Sequence, residues 1–108
     1  MIRVYSYSDR CAVYGEALGK WGLRNQFLVA IEEMSEVQKA ITKVIRARED
    51  EDLAALFGGL VENLIEEIAD ATIMLEQLRY FFSIDEAVDE MMDKKIFRLE
   101  ERISNGTA

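Results

Sequence analysis

Apolar residues along the chain recur every three or four positions, which is the spacing of one face of an α-helix. The pattern predicts one long helix over 23–48 and another over 60–82. The apolar set of the first is Phe27, Ile31, Met34, Ile41 and Ile45, and that of the second is Leu64, Ile68, Ala71, Leu75, Leu78 and Phe82. Since the chain has no proline, nothing in its sequence forbids helices of this length.

A shorter helix is predicted ahead of this pair. Ser8 is a candidate N-cap, because a serine side chain can accept a hydrogen bond from the first turn of a helix. The helix would run to about Lys20 before Gly22 breaks it. Residues 1–8 would then form an arm or a short extended piece ahead of the first helix.

The remaining segments complete an all-α pattern. Residues 48–59 are predicted to form a linker with an acidic run, a short turn of helix and two glycines. Ser83 and Glu86 have the spacing of a capping box, which predicts a fourth helix over 84–103 and a tail at 104–108. We therefore expect an all-α, four-helix bundle with short connections and antiparallel neighbours.

Length, composition and charge narrow the classes of protein. The 108 residues suggest one domain over 1–108, and a chain that is half hydrophobic is expected to fold. The net charge of −8 argues against a nucleic-acid polymer or an anionic membrane as partner. A single cysteine and the lack of a signal or membrane-spanning run suggest a reduced, cytoplasmic location. The absence of histidine excludes histidine bases and histidine metal ligands.

The first long helix carries an acidic cluster in "IEEMSEVQKA", residues 31–40. Because an α-helix turns about 100° per residue, Glu32 is expected on the solvent side. Glu33 and Glu36 lie instead at the edge of the apolar stripe, one turn apart. Their flank is small or apolar, as at Ala30, and lacks the lysines of a solvated face. An E-x-x-E pair is ordinarily a solvated face or a source of ion pairs, so this motif alone is a weak signal.

The second long helix carries a stronger signal in "IEEIADATIM", residues 65–74. Glu67 falls about 20° from both Met74 and Leu78, inside the apolar arc, and Asp70 follows one turn later on the same side. Buried carboxylates are costly without a partner, and facing carboxylates repel each other. A divalent cation removes both problems, and magnesium is commonly held by a few carboxylates together with substrate phosphates. The two motifs together therefore predict a magnesium site that could take a phosphate ligand.

The fourth predicted helix adds basic side chains. Lys95, Arg98 and Arg102 fall within about 60° of one another, on the apolar side of that helix. They could form ion pairs with the acids, or they could hold phosphate oxygens. The residues alone leave both roles open.

These motifs resemble those of the MazG-like nucleoside triphosphate pyrophosphohydrolases, an all-α superfamily that includes dimeric dUTPases and phosphoribosyl-ATP pyrophosphohydrolases. The resemblance rests on E-E-x-x-E at 32–36, E-x-x-D at 67–70, the preceding "KWGLRNQF" and a K-x-x-R in the last helix. It covers roughly residues 20–103. The stretch between the acidic motifs is longer than in compact members, and Asp93 stands where an asparagine is common.

The resemblance implies hydrolysis of a nucleoside triphosphate between its α and β phosphates, giving the monophosphate and pyrophosphate in nucleotide-pool control or house-cleaning. It implies magnesium as cofactor, with manganese as a substitute. The implied metal ligands are Glu33, Glu36, Glu67 and Asp70. Glu32 would be the accessory catalytic acid that aligns a water molecule.

The resemblance also implies substrate contacts and a partner. Lys95 and Arg98 would contact the phosphates, and Trp21 and Gln26 would lie near the nucleoside. Superfamily members complete their bundle with another subunit, so a homodimer or homotetramer is expected.

Other classes remain as alternatives. A non-catalytic helical oligomerisation or interaction module would show no magnesium response and would tolerate Glu67→Gln. The same superfamily could act on dUTP or phosphoribosyl-ATP, since nothing in the sequence settles the base. A di-iron bundle generally needs Glu-x-x-His pairs, and this chain has no histidine.

Overall fold

The computed structural model describes residues 2–106, which are all-helical and contain no strand. Its helices are α1 (Tyr7–Trp21), α2 (Leu23–Glu49), α3 (Leu53–Ala55), α4 (Val61–Phe81) and α5 (Asp85–Asn105), and a π turn over Leu56–Leu60 leads into α4. Four of these helices are long, as the periodicity predicts. None of the helices within 2–106 has both the length and the apolar character needed to cross a membrane.

The most extensive interface joins α2 and α4, which run antiparallel. Phe27 stacks on Phe82 at one end of this pair, with ring centroids 5.9 Å apart. At the other end, Val44 and Val61 line one pocket. The seam between the helices is built largely from small or polar side chains, and its buried residues are Gln26, Ala30, Ala40, Ala47, Ala71, Met74 and Gln77. Small residues let the two backbones approach closely.

The seam of α2 differs from the apolar stripe that the sequence predicts. Ile31 and Ile45 of that stripe are 62% and 49% exposed, whereas Ala30 is buried. The buried seam is rotated around α2 from that stripe by about one residue, or 100°, and lies on the flank that carries Glu33. The alanines on that flank permit closer helix packing than the branched residues of the stripe do. The large apolar residues of α2 therefore stay on the surface of the single chain.

One face of the α2–α4 pair is apolar as a result. On α4, Ile65 and Ile68 are 62% and 49% exposed, and on α2 Ile31, Met34, Ile41 and Ile45 are also exposed. The set on α2 follows the seam of its helix by about 100°, whereas Ile68 follows the seam of α4 by about 120° and Ile65 lies farther round, at about 180°. In an antiparallel pair, these rotations carry both sets toward the same side. We call these six residues the apolar face.

The start of α1 corrects the predicted cap at Ser8. The N-cap is Ser6, whose hydroxyl accepts from the Asp9 N–H at 3.0 Å while the Asp9 carboxylate accepts from the Ser6 N–H at 3.1 Å. This reciprocal pair is a capping box, and it starts the helix at Tyr7 rather than after Ser8. The helix ends at Gly22 as expected, with a φ of 83° that favours glycine.

The start of α5 also differs from the prediction, because Ser83 and Glu86 do not form a capping box. Ser83 has a φ of 54°, and the cap residue Ile84 makes no side-chain hydrogen bond to the helix. Arg79 organises this turn instead. Its guanidinium donates to the carboxylate of Asp85 at 2.6 Å and to its carbonyl at 3.0 Å, and to the Asp89 carboxylate at 2.6 Å.

The predicted tail and linker are both shorter than expected. α5 continues to Asn105, and positions 107–108 of the tail lie outside the described residues. Within the 48–59 linker, Asp52 caps α3 by accepting from the Ala55 N–H at 3.0 Å. The π turn that follows bends at Gly59, where φ is 137°. The short turn of helix predicted within the linker is thus present as α3, and the two glycines lie in the π turn.

An ion-pair network fastens α1 across α4. Both Arg10 and Tyr14 donate hydrogen bonds to Oε1 of Glu76. Burial of the Glu76 carboxylate opposes its ionisation, but these two hydrogen bonds outweigh that effect and lower its pKa. Tyr14 is 4% exposed, and burial followed by its bond to Glu76 raises its pKa to about 12. This network orients α1 beside the α2–α4 pair.

Candidate metal centre

Three carboxylates from two helices converge near the middle of the α2–α4 pair. Glu33 of α2 and Glu67 and Asp70 of α4 each offer one oxygen, and these three oxygens lie within 4.8 Å of one another. Glu33 and Glu67 are partly buried, whereas Asp70 is exposed at the rim. We call these three residues the acid cluster.

The positions of the acids along their helices explain why they meet. Glu33 follows the buried Ala30 by three residues, so it points toward the seam. Glu67 precedes the buried Ala71 by four residues and points toward the seam from the other side. Asp70 lies one residue before Ala71 and therefore stands beside the seam. The phase of Glu67 seen in the sequence is the feature that predicts this meeting.

The acid cluster holds negative charge without a cation against it. None of the ion pairs within residues 2–106 involves Glu33, Glu67 or Asp70. Burial, followed by the charges of Asp70 and Glu67, raises the pKa of Glu33. The like charges thus oppose one another across the seam, and a bound cation would relieve this repulsion.

The acid cluster is accessible through a small opening. A pocket of about 160 Å³ is lined by Val29, Glu33, Asp70, Ile73 and Met74. It admits an ion and a few water molecules, and its rim at Asp70 leaves room for a larger ligand. Partial burial together with an open side is what a metal site needs if it is to hold a substrate.

The donor set suits a hard divalent cation. Carboxylate oxygens are the ligands that magnesium and manganese prefer, and magnesium usually keeps several waters alongside one or two protein carboxylates. Magnesium–oxygen distances of about 2.1 Å need ligand oxygens to gather closely around the ion. The three oxygens of the acid cluster are already close enough for small side-chain rotations to bring them together. The residues present therefore fit such an ion.

The other two acids of the first motif stand outside the acid cluster. The Glu36 carboxylate accepts a hydrogen bond from Lys39 Nζ at 3.2 Å, one turn farther along α2 than Glu33. Glu32 is exposed, as its helical phase predicts. Both charges still contribute to raising the pKa of Glu33, so they lie within its electrostatic reach.

The two residues expected near the nucleoside lie in very different surroundings. Gln26 is 4% exposed, in the seam two helical turns before Glu33. Trp21 is 55% exposed at the end of α1, where Lys20 Nζ lies 5.4 Å from its ring centroid. Neither residue lines the opening of the acid cluster.

The basic residues of α5 do not approach the acid cluster within one chain. Among the described helices, α5 contacts α4 alone. Lys95 and Arg98 are exposed on its distal half, and they take part in none of the ion pairs within 2–106. The phosphate-binding role expected of them therefore requires something beyond the single chain.

Two polar features were not found by the sequence reasoning. Gln77 is buried in the seam, where its Nε2 donates to Met74 Sδ at 3.5 Å and its Oε1 has no hydrogen-bond partner within the described residues. The second feature is Glu76 with its two donors on α1. A signal for Gln77 exists in the sequence, since it lies seven residues after Asp70 and so nearly shares its helical phase. The pairing of Glu76 with α1 has no comparable local signal.

Comparison with known proteins gives no assignment. No family model matches the chain, and no curated protein or solved structure matches it significantly.

Proposed function

We propose that this chain is a divalent-cation-dependent nucleoside triphosphate pyrophosphohydrolase. It would cleave between the α and β phosphates and release the nucleoside monophosphate and pyrophosphate, as an enzyme of nucleotide-pool control in the cytoplasm. The observation that carries the proposal is the convergence of Glu33, Glu67 and Asp70 with no cationic side chain against them. Magnesium is the ion proposed, with manganese as its substitute.

The charge of the protein supports a phosphate ligand only when a metal accompanies it. A net charge of −8 repels a free nucleotide, and the acid cluster repels it most strongly. A bound divalent cation reverses the sign of the local field and makes the cluster an anion site. The E-E-x-x-E and E-x-x-D motifs that supply these acids resemble those of MazG-like enzymes.

The roles of the protein's own groups follow from their placement. A divalent cation bound at the cluster would neutralise phosphate charge and activate water. Glu33, Glu67 and Asp70 would hold and orient the ion. The chain has no histidine, so a carboxylate is the proposed acceptor of the proton of the attacking water. Glu32 is the carboxylate proposed for that step and for aligning the water, and Glu36 is proposed to join the ligand set when it leaves Lys39.

A second copy of the chain is the proposed partner. The apolar face exposes six large aliphatic side chains on one side of the α2–α4 pair. Two such pairs placed face to face form a four-helix core, which is the usual way for antiparallel helix pairs to bury such stripes. We propose a homodimer through this face, or a homotetramer built from such dimers.

The same assembly supplies the proposed phosphate contacts. Lys95 and Arg98 stand on the part of α5 that projects from its own chain. In the oligomer they are assigned to contact phosphate oxygens at the acid cluster of a neighbouring copy. Their positive charges complement the charge left on a metal-bound triphosphate.

A non-catalytic interaction module is the second candidate, and the extent of the apolar face favours it. Such a module would use this surface to bind a partner helix, and its acid cluster would be incidental. The two candidates differ in one measurable respect, because only the enzyme releases pyrophosphate in the presence of magnesium. A panel of nucleoside triphosphates, including dUTP, together with phosphoribosyl-ATP, assayed with magnesium and with EDTA, tests the proposal and identifies the base.

A further inference from the structure

A second pocket, of about 240 Å³, lies between α1 and α4 next to the opening of the acid cluster, and we call it the α1 pocket. The residues that line it are Tyr5, Arg10, Val13, Tyr14 and Ile73. Ile73 also lines the opening that exposes Glu33 and Asp70, so the two pockets adjoin at this side chain. The α1 pocket and the opening of the acid cluster are therefore neighbouring pockets that share Ile73 as a wall.

The polar groups of the α1 pocket are already engaged by the protein. Arg10 and Tyr14 both donate to Glu76, and Arg10 also donates to the carbonyl oxygen of Tyr5 at 3.2 Å. Their hydrogen bonds hold the walls in place. What remains for a ligand is therefore aliphatic and aromatic surface.

We propose that the α1 pocket binds the base and sugar of the nucleotide whose phosphates meet the acid cluster; this inference rests on the proposed function above. Ile73 lies three residues from Asp70, which is about 4.5 Å along α4. The pocket thus begins about one helical turn from the acid cluster, a distance that a nucleoside attached to the α-phosphate spans.

The chemistry of the pocket favours stacking over reading of base edges. Aromatic rings and aliphatic side chains contact the face of any base, whereas discrimination needs hydrogen-bond donors and acceptors left free for the base edge. Arg10 and Tyr14 are not free in this sense, because Glu76 holds them. The substrate class is therefore nucleoside triphosphates with varied bases, accepted with little preference.

Other regions of the molecule are less suitable for the nucleoside. A pocket of about 610 Å³ beside Phe57 and another of about 600 Å³ between α4 and α5 are larger, but neither shares a lining residue with the opening of the acid cluster. Trp21, expected near the nucleoside from the motif resemblance, lies at the C-terminal end of α1, about two helical turns beyond Tyr14, and does not line the α1 pocket. The contact with the nucleoside that the motif resemblance gives to this tryptophan is therefore assigned to the α1 pocket.

Filling the α1 pocket tests this assignment. Val13 is 48% exposed, so Val13→Trp can place a ring in the pocket without entering the core, and Ile73→Trp is a second variant at 44% exposure. Leu28→Trp, at 51% exposure on α2 and away from both pockets, is the matched control. The titrations use Mn²⁺ alone, Mn²⁺ with inorganic tripolyphosphate, and Mn²⁺ with α,β-imido nucleoside triphosphates of different bases.

We expect both pocket variants to weaken binding of every imido nucleotide by about tenfold or more, the factor expected for loss of one stacked base. Their affinities for Mn²⁺ and for tripolyphosphate should equal those of the parent, as should all affinities of Leu28→Trp. The parent should discriminate among bases by less than about a hundredfold.

Three results would overturn the assignment. The first is parent-like nucleotide affinity in both pocket variants, which would leave the proposed function intact. The second is a loss of tripolyphosphate affinity in the pocket variants that equals their loss of nucleotide affinity, or a preference of the parent for one base beyond about a thousandfold. Either result would show that the nucleotide is held by something other than stacking in this pocket. The third is a parent that binds neither Mn²⁺ nor any nucleotide, which would remove the proposed function as well.

Discussion

The carboxylates of Glu33 and Asp70 belong to different helices, yet they present oxygens within 4.8 Å of each other. Both are acids, and no lysine or arginine within the described residues pairs with either. Folding therefore brings like charges together. The pKa of Glu33 is raised, first by burial and then by the charges of Asp70 and Glu67, and this shift reflects the cost of ionising Glu33 in the folded state. A protein that tolerates such repulsion gains most from a bound divalent cation.

Magnesium is expected to stabilise the folded chain through this cluster. A ligand that binds only the folded state adds about 2.7 kcal/mol to the free energy of unfolding at a concentration 100 times its Kd. The Tm of the parent should rise with magnesium, and the rise should be lost in Asp70→Asn. Glu100→Gln, an exposed acid on α5, is the control and should respond as the parent does. An equal rise in Asp70→Asn would place the bound ion elsewhere.

The pH dependence of stability should report the repulsion at Glu33. Because its pKa is raised in the folded state, the folded state binds more protons than the unfolded state in the window just above the ordinary glutamate pKa. In EDTA, the free energy of unfolding of the parent should therefore fall as pH rises through that window. Glu33→Gln should lack this fall and should be the more stable protein at neutral pH. The test is urea unfolding measured across the acid range. The same dependence of unfolding free energy on pH in the parent and in Glu33→Gln would contradict the repulsion assigned to Glu33.

The network at Glu76 should have the opposite pH dependence. Arg10 and Tyr14 lower the pKa of Glu76 against its burial, so its stabilisation is present above the ordinary glutamate pKa. It should be lost as pH falls toward the lowered pKa of the folded state. Glu76→Gln should cost about 2 kcal/mol of unfolding free energy at neutral pH, the scale of a hydrogen bond to a charged group. The difference in unfolding free energy between Glu76→Gln and the parent should shrink in acid. A difference that stays constant across pH in urea titrations would argue against this role of Glu76.

The apolar face should control oligomeric state. Ile68 lies within it and is 49% exposed in the single chain, so Ile68→Glu places a charge where we propose that a second copy packs. Sedimentation at micromolar concentration should give a dimer or tetramer for the parent and a monomer for the variant. Leu28→Glu changes a residue of similar exposure on another side of α2 and should sediment like the parent. A monomeric parent would remove the proposed partner.

The sequence predicts the fold class and the approach of the acids for a definite reason. The phase of Glu67 relative to Met74 is a local property of one helix, and it survives whatever the rest of the chain does. The placement of the seam on α2 is not local in this way. It depends on which residues let α4 approach, and the alanines compete there with larger residues such as Ile31 and Ile41.

The caps show the same limit on a smaller scale. Ser6 and Ser8 both precede a helical pattern, and only the position of Asp9 decides between them, since it can bond back to the Ser6 N–H. At the start of α5, the spacing of Ser83 and Glu86 suits a capping box. Arg79, on the preceding helix, makes three hydrogen bonds to Asp85 and Asp89 and forms a different turn there, which the spacing of Ser83 and Glu86 does not reveal.

Pyrophosphate release by Glu67→Gln, measured beside the parent and Glu66→Gln, is the most direct test of the proposed metal-dependent hydrolysis. Glu66 is an exposed acid one residue away on α4, so it matches the change in charge without entering the acid cluster. With magnesium and a panel of nucleoside triphosphates, we expect pyrophosphate from the parent and from Glu66→Gln, and none above background from Glu67→Gln. Circular dichroism and sedimentation of Glu67→Gln should match the parent. Release by Glu67→Gln at the parent's rate would contradict the metal site, and a parent that releases no pyrophosphate from any nucleotide would contradict the proposed function.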